Sequence, residues 1–137
     1  MQLESVFERE AREAAEREAA KREAEVQADA HRIAIRLQNI DRRLEVLTQQ
    51  LEALDAFAEQ AAQRPDDPLA RMALEALEGR GFDPIGTITR IAATWNIAVP
   101  PRVVPRPTVQ GWIDELERER RDLRQRLKQL ESPVPTA

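Results

Sequence analysis

The stretch that decides the fold is Ile33–Ala61, IAIRLQNIDRRLEVLTQQLEALDAFAEQA. Apolar residues recur along it at alternating steps of four and three: Ile33, Leu37, Ile40, Leu44, Leu47, Leu51, Leu54, Ala58 and Ala61. A 3.5-residue hydrophobic repeat held this long specifies a helix that packs lengthwise against another helix. No Gly or Pro occurs before Pro65. One helix is therefore expected from near the start of the sequence to about Arg64, roughly 95 Å at 1.5 Å per residue. A second apolar line, Ile35, Val46 and Phe57, lies off the seam at a spacing of eleven. It predicts a second contact face along part of the helix, for another helix of the fold or another subunit.

Upstream the seam fails. Its register extended backward lands on Glu23, Ala19, Glu16 and Arg12, and residues 4–25 are almost entirely Glu, Arg and Ala. Glu8–Arg12, Glu13–Arg17 and Glu18–Arg22 are i,i+4 pairs in the favourable orientation, each contributing about 0.2–0.5 kcal/mol to an isolated helix. Residues 1–25 read as a charged helical extension, stabilised by propensity rather than burial. At its tip Leu3, Val6 and Phe7 form an apolar cluster that marks a candidate docking site.

Downstream, Asp67 before Pro68 is an N-cap followed by the favoured first-position proline. Leu69, Met72, Ala73, Ala76 and Leu77 supply one apolar face, and Gly79 or Gly81 a stop. The pattern repeats in Asp83–Pro84, opening a shorter helix with Ile85, Ile88, Ile91, Ala92 and Trp95. Gly86 reads as a turn residue. Val99–Pro107, VPPRVVPRP, is a stiff extended connector. Trp95 and Trp112 flank it and are expected to pack on its prolines; the alternative is an exposed aromatic hot spot for a partner. Thr108 reads as the N-cap of the last helix. Val109, Ile113, Leu116, Leu123, Leu127 and Leu130 form its seam, interrupted by Arg120, and Ser132–Pro133 ends it.

These elements predict an all-α fold. The long N-terminal helix and the C-terminal helix form an antiparallel coiled-coil hairpin over residues 26–131. Two short helices and the Pro-rich connector, residues 65–107, make its head, and residues 132–137 are a tail. Leu116, Leu123 and Leu127 are expected near Leu44–Leu54. On that register Ile33, Leu37 and Ile40 lack an intrachain partner, so a second chain should cover them.

Composition agrees with this class. Charged residues are 34% of the chain and aromatics 4%, a long-helix composition with too few bulky side chains for a thick core. The formal net charge is -4, which disfavours wholesale nucleic-acid binding. Absence of cysteine excludes disulfides, thiolate nucleophiles and Cys-based metal sites. The N-terminal segment has no apolar core of a signal peptide, and no stretch approaches a membrane span of roughly 20 apolar residues. The expected location is the cytoplasm, or a virion if the chain is phage-encoded.

Chemistry-bearing patterns are sparse. His31 is the sole histidine, and no HxxxH or ExxH motif includes it, so it reads as a surface helix residue rather than a metal ligand. Asp66 and Asp67 read as capping groups rather than paired catalytic carboxylates. There is no nucleophile elbow, Walker motif or GxGxxG. No catalytic residue, cofactor site or metal site is assigned.

One segment points to DNA. TITRIAATWNI followed by PTVQGWIDELERERR, within residues 87–121, resembles the two helices of a helix-turn-helix, with its Ile-Ala pair and its Thr-Val start to the second helix. The resemblance implies that Thr108, Gln110 and Arg118 would face the major groove. Arg102 and Arg106 make the connector locally basic and available to phosphates. The linker Ile97–Pro107 exceeds the usual 3–4-residue turn. The favoured expectation is a non-enzymatic coiled-coil scaffold, adaptor or assembly chaperone of a bacterial or phage complex. It would act with protein partners, as a homo-oligomer or within a larger assembly. A helix-turn-helix DNA-binding protein is the alternative.

Overall fold

A computed structural model describes residues 5–131. They form four helices: α1 (Val6–Ala62), α2 (Pro68–Leu77), α3 (Pro84–Trp95) and α4 (Arg106–Glu131). The fold is all-α, and α1 packs against α4 as the heptad pattern requires. Leu3 and the tail, residues 132–137, lie outside the described residues. Among those described, no helix is long and apolar enough to cross a membrane.

The chain divides into two compact units: Asn39–Arg120, and the chain up to Gln38 together with Arg121 onward. In the first unit, Ile40, Leu47, Leu54 and Phe57 from α1, Leu77 from α2, Ile88 from α3 and Val109 from α4 are fully buried. Burial of each such side chain is worth about 1.5–3 kcal/mol. Two cross-pairs set the direction of α4 here. Asp41 accepts from Arg120 at 3.3 Å, and Asp55 pairs with Arg106 at 2.9 Å. As α1 ascends from 41 to 55, α4 descends from 120 to 106, so the hairpin is antiparallel. Arg120, which breaks the leucine seam, turns outward to Asp41 and so avoids burying its charge.

The second unit holds the upper seam. Ile33 is buried, and Leu37, Leu123 and Leu127 are half-buried. Asp29, Arg32, Ile33 and Arg36 on α1 line one depression with Leu123 and Arg126 on α4.

This corrects the expected register. Leu123 sits by Ile33 rather than in the Leu44–Leu54 stretch, and Ile33 and Ile40, 6% and 0% exposed, need no second chain to cover them. The reason is where α4 starts. Its first residue pairs with Asp55, well before the end of α1, and its 26 residues match the length from Ala30 to Asp55. Ala30 is where coverage of α1 begins; residues 5–29 are exposed throughout. Thr108 is not the N-cap. The carbonyl of Pro105 accepts from the amides of Thr108 and Val109, and Pro107 occupies the first turn, where its missing N–H costs no hydrogen bond. Of the second apolar line, Phe57 is buried within the chain, while Ile35 and Val46, 46% and 45% exposed, are left uncovered by it.

The short helices are fixed by their ends. The Asp67 carboxylate accepts from the Leu69 amide at 2.9 Å, and the Asp83 carboxylate from the Gly86 amide at 3.1 Å. Gly86 is therefore a residue of the first helical turn of α3 rather than of a turn between helices; a Cβ there would run into the Asp83 carboxylate. After α2, Gly79 takes a left-handed φ of 80° and lets the Arg80 amide reach the Glu75 carbonyl. Its bare Cα also faces Pro105, 3.5 Å from where a Cβ would stand, which brings the end of the connector onto the end of α2. Asn96 closes α3 in the same left-handed manner, with the Ile97 amide donating to the Ala92 carbonyl at 2.8 Å. The helices α2 and α3 pack directly against each other.

Candidate functional site

The seam residues Ile33, Leu37, Ile40, Leu44, Leu47, Leu51, Leu54, Leu116, Leu123 and Leu127 are all buried or half-buried within one chain. They hold the hairpin and are not a free surface. What stays uncovered lies elsewhere.

The first exposed feature is the arm. From Val6 to Asp29 α1 is helical with every side chain exposed. A capping box starts it: the Glu8 amide donates to Ser5 Oγ at 3.1 Å and the Ser5 amide to Glu8 Oε2 at 3.4 Å. Exposed ion pairs such as Arg12–Glu16 add little. Val6 and Phe7, 70% and 83% exposed, lie side by side at the tip.

The second is the corner between α2 and α3. Phe82 is fully exposed there, and Met72 is half exposed. Both line an open groove with Ala76, Arg80, Thr87 and Arg90. The acids at its rim are already engaged, Glu75 with Arg71 at 3.5 Å and Asp83 as the α3 cap. No described carboxylate pairs with Arg80 or Arg90. The heptad and capping patterns did not single out Phe82, because it belongs to no periodic face. Its position between Gly81 and Asp83–Pro84, an aromatic in a turn of Gly, Asp and Pro, is the signal that marks it.

The two tryptophans differ. The Trp95 indole is held by α1 and the turn after it. Its ring lies 5.7 Å from that of Phe57, the Arg64 guanidinium sits 4.7 Å over it, and its Nε1 donates to Asp67 Oδ2 at 3.2 Å. It is thus a packing residue. Trp112, on α4, keeps an exposed face.

The residues of the helix-turn-helix resemblance are placed as follows. Arg106 is committed to Asp55, and Gln110 donates to Asp114 one turn on at 2.9 Å. Arg102, Thr108 and Arg118 are exposed, while Val109 and Ile113 of the same helix point into the core. Helix α3 ends at Trp95 and α4 begins at Arg106, so the two are joined by Asn96–Pro105 and not by a tight turn.

His31 is exposed on α1, and Asp67 is occupied by its cap and by Trp95. Among the described residues no three His, Asp or Glu side chains converge as a metal-ligand set. Compared with protein-family models, curated proteins and solved structures, the chain matches none.

Proposed function

We propose that this chain is a non-enzymatic structural or assembly protein, a coiled-coil scaffold, adaptor or assembly chaperone of a bacterial or phage complex. Its place of action is the cytoplasm, or the virion if phage-encoded. One observation carries the reading: α1 continues as a helix from Asp29 back to Val6 with no side chain covered. Such a segment gains only propensity and surface ion pairs, which leave an isolated helix marginal in water. A marginal helix ending in exposed Val6 and Phe7 has the features of a contact element that becomes buried on assembly. The closed seam shifts the argument for association from the hairpin to this arm and to the head.

The test is molar mass in solution over a concentration series, with and without duplex DNA. Mass above the 15.6 kDa protomer, unchanged by DNA, supports the reading. A protomer that stays monomeric and gains mass only with DNA overturns it in favour of the helix-turn-helix alternative. That second reading draws on Arg102 and Arg118, both exposed and without an ion-pair partner among the described residues.

A further inference from the structure

We infer that the arm of this chain pairs antiparallel with the arm of a second copy, along the face of α1 that continues the hairpin seam. The inference rests on the assembly reading above and names the partner. The strict heptad is lost upstream of Ile33, but a slightly longer period takes its place. Ala30, Val26, Arg22, Ala19, Ala15 and Ala11 run back from Ile33 at steps of three, four, four, three, four and four. That is an eleven-residue repeat of about 3.67 residues per turn, near the 3.6 of a straight helix. The line therefore stays on the face that carries Ile33 toward α4. Coverage begins at Ala30, and from Asp29 back to Ser5 every side chain is exposed, Val26 at 38% and Phe7 at 83%. The interface that α4 fills from Ala30 onward is thus continued along the arm with no described residue of its own chain upon it. Continuity with that interface points to an occupant of the same kind, a helix running opposite to α1.

Charge makes that helix a reversed copy of the arm itself. In the register that sets Ala11 opposite Val26 of the second copy, Arg22 falls opposite Ala15 of that copy, whose small side chain leaves room for a guanidinium. Glu18 then lies within one turn of Lys21 and Arg22 of the second copy, and the two-fold relation makes the same contact twice. Phe7 falls opposite Ala30 of the second copy, the point at which that copy's α4 takes over the face. A parallel pair would instead set Glu18 on Glu18, Lys21 on Lys21 and Arg22 on Arg22. The arm is complementary in charge to itself only when reversed.

The test combines sedimentation, from micromolar to near-millimolar concentration, with crosslinking of a chain that has no cysteine of its own. The wild type should associate, more weakly as salt is added. Ala15→Glu with Val26→Glu should weaken association about tenfold or more by burying unpaired charge; both positions are exposed in the protomer, so its melting temperature when dilute should not change. Glu18→Lys alone, and Lys21→Glu with Arg22→Glu alone, should each weaken association, and their equimolar mixture should recover it as a 1:1 heterodimer. Ala11→Cys mixed with Val26→Cys should be joined by a short bis-maleimide. Neither variant alone should be, because equivalent residues of the two copies then stand about 22 Å apart along the axis. Crosslinking of either variant with itself, or a mixture of the charge variants that does not recover, overturns the inference. Wild-type association that survives Ala15→Glu with Val26→Glu also overturns it and leaves the assembly reading standing. A wild type that is monomeric throughout overturns both the inference and self-assembly as the protein's function.

Discussion

The indole of Trp95 and the carboxylate of Asp67 are joined by a hydrogen bond of 3.2 Å from Nε1 to Oδ2, while the other oxygen of the same carboxylate caps α2 at the Leu69 amide. One side chain thus ties the last residue of α3 to the first turn of α2. The ring it holds packs at a tilt against Phe57 of α1 and is covered by Arg64. The head is anchored to the hairpin at this point. Asp67→Ala removes a cap and a tertiary acceptor together and should cost about 1–2 kcal/mol. Trp95→Phe keeps a ring but loses the donor, at about 1 kcal/mol. Because both act on one bond, urea unfolding of the double variant should show less than the sum of the two losses. Full additivity would mean that the bond contributes nothing beyond the cap.

The antiparallel register is testable directly, because the chain has no cysteine. Asp55→Cys with Arg106→Cys replaces a pair 2.9 Å apart at the charged atoms. Because the contact is made at the end of a long arginine side chain, a short bis-maleimide linker rather than a direct disulfide should bridge the two cysteines within one chain and leave the protomer monomeric by mass. Asp55→Cys with Arg120→Cys should not, because Arg120 lies by Asp41. Crosslinks found only between chains would show that α4 pairs with another copy's α1 in solution.

The hairpin was legible because a heptad seam states its own requirement: nine apolar positions at steps of four and three must be covered by a helix. The ends of α2 and α3 were legible because Asp67–Pro68 and Asp83–Pro84 combine a side-chain acceptor with a residue that needs no donor. The register was not. It depends on how far the connector carries the chain back along α1. Periodicity is blind to the Asp55–Arg106 pair and to Pro105 closing over Gly79. Pro107 was read as preceding the helix, although the first turn accepts proline. Phe82 carried a signal in its Gly-Phe-Asp-Pro turn, but the groove beside it did not, since its walls depend on how α2 and α3 pack.

The covered seam changes what its substitution should do. Ile40 and Leu47 are wholly buried, so Ile40→Ala or Leu47→Ala should destabilise the chain by about 2–5 kcal/mol, read as a lower urea midpoint. Leu44→Asp should unfold the hairpin by burying an unpaired charge rather than merely dissociate subunits. A folded Leu44→Asp variant with unchanged stability and altered molar mass would instead make the seam an intermolecular surface.

Hydrogen exchange separates the arm from the hairpin. Amides of Val6–Asp29 are in helix, yet no side chain there is buried, so opening costs only local terms of a few tenths of a kcal/mol per pair. Exchange should be fast there in dilute protein and slow from Ile40 to Leu54. At concentrations where copies associate, protection should rise near Phe7. Equal protection along all of α1 in a verified monomer would contradict the marginal-arm account.

The last prediction separates protein assembly from DNA binding. Helix α4 spends Val109 and Ile113 on the core, Arg106 on Asp55 and Gln110 on Asp114, which leaves Arg118 and Thr108 for a groove. The net charge of -4 opposes approach to a phosphate backbone. DNA affinity should therefore be weak and lost between about 50 and 200 mM salt, as expected for a few non-specific phosphate contacts. Arg102→Ala should weaken it equally for all sequences, and Gln110→Ala should leave base preference unchanged. A helix-turn-helix reader would behave oppositely: Gln110→Ala and Arg118→Ala would relax preference at defined base pairs, by about 1–3 kcal/mol each. Fluorescence anisotropy on duplexes of varied sequence decides between them, and saturable, sequence-dependent binding in the nanomolar range typical of specific sites at physiological salt would replace assembly with DNA recognition as the protein's function.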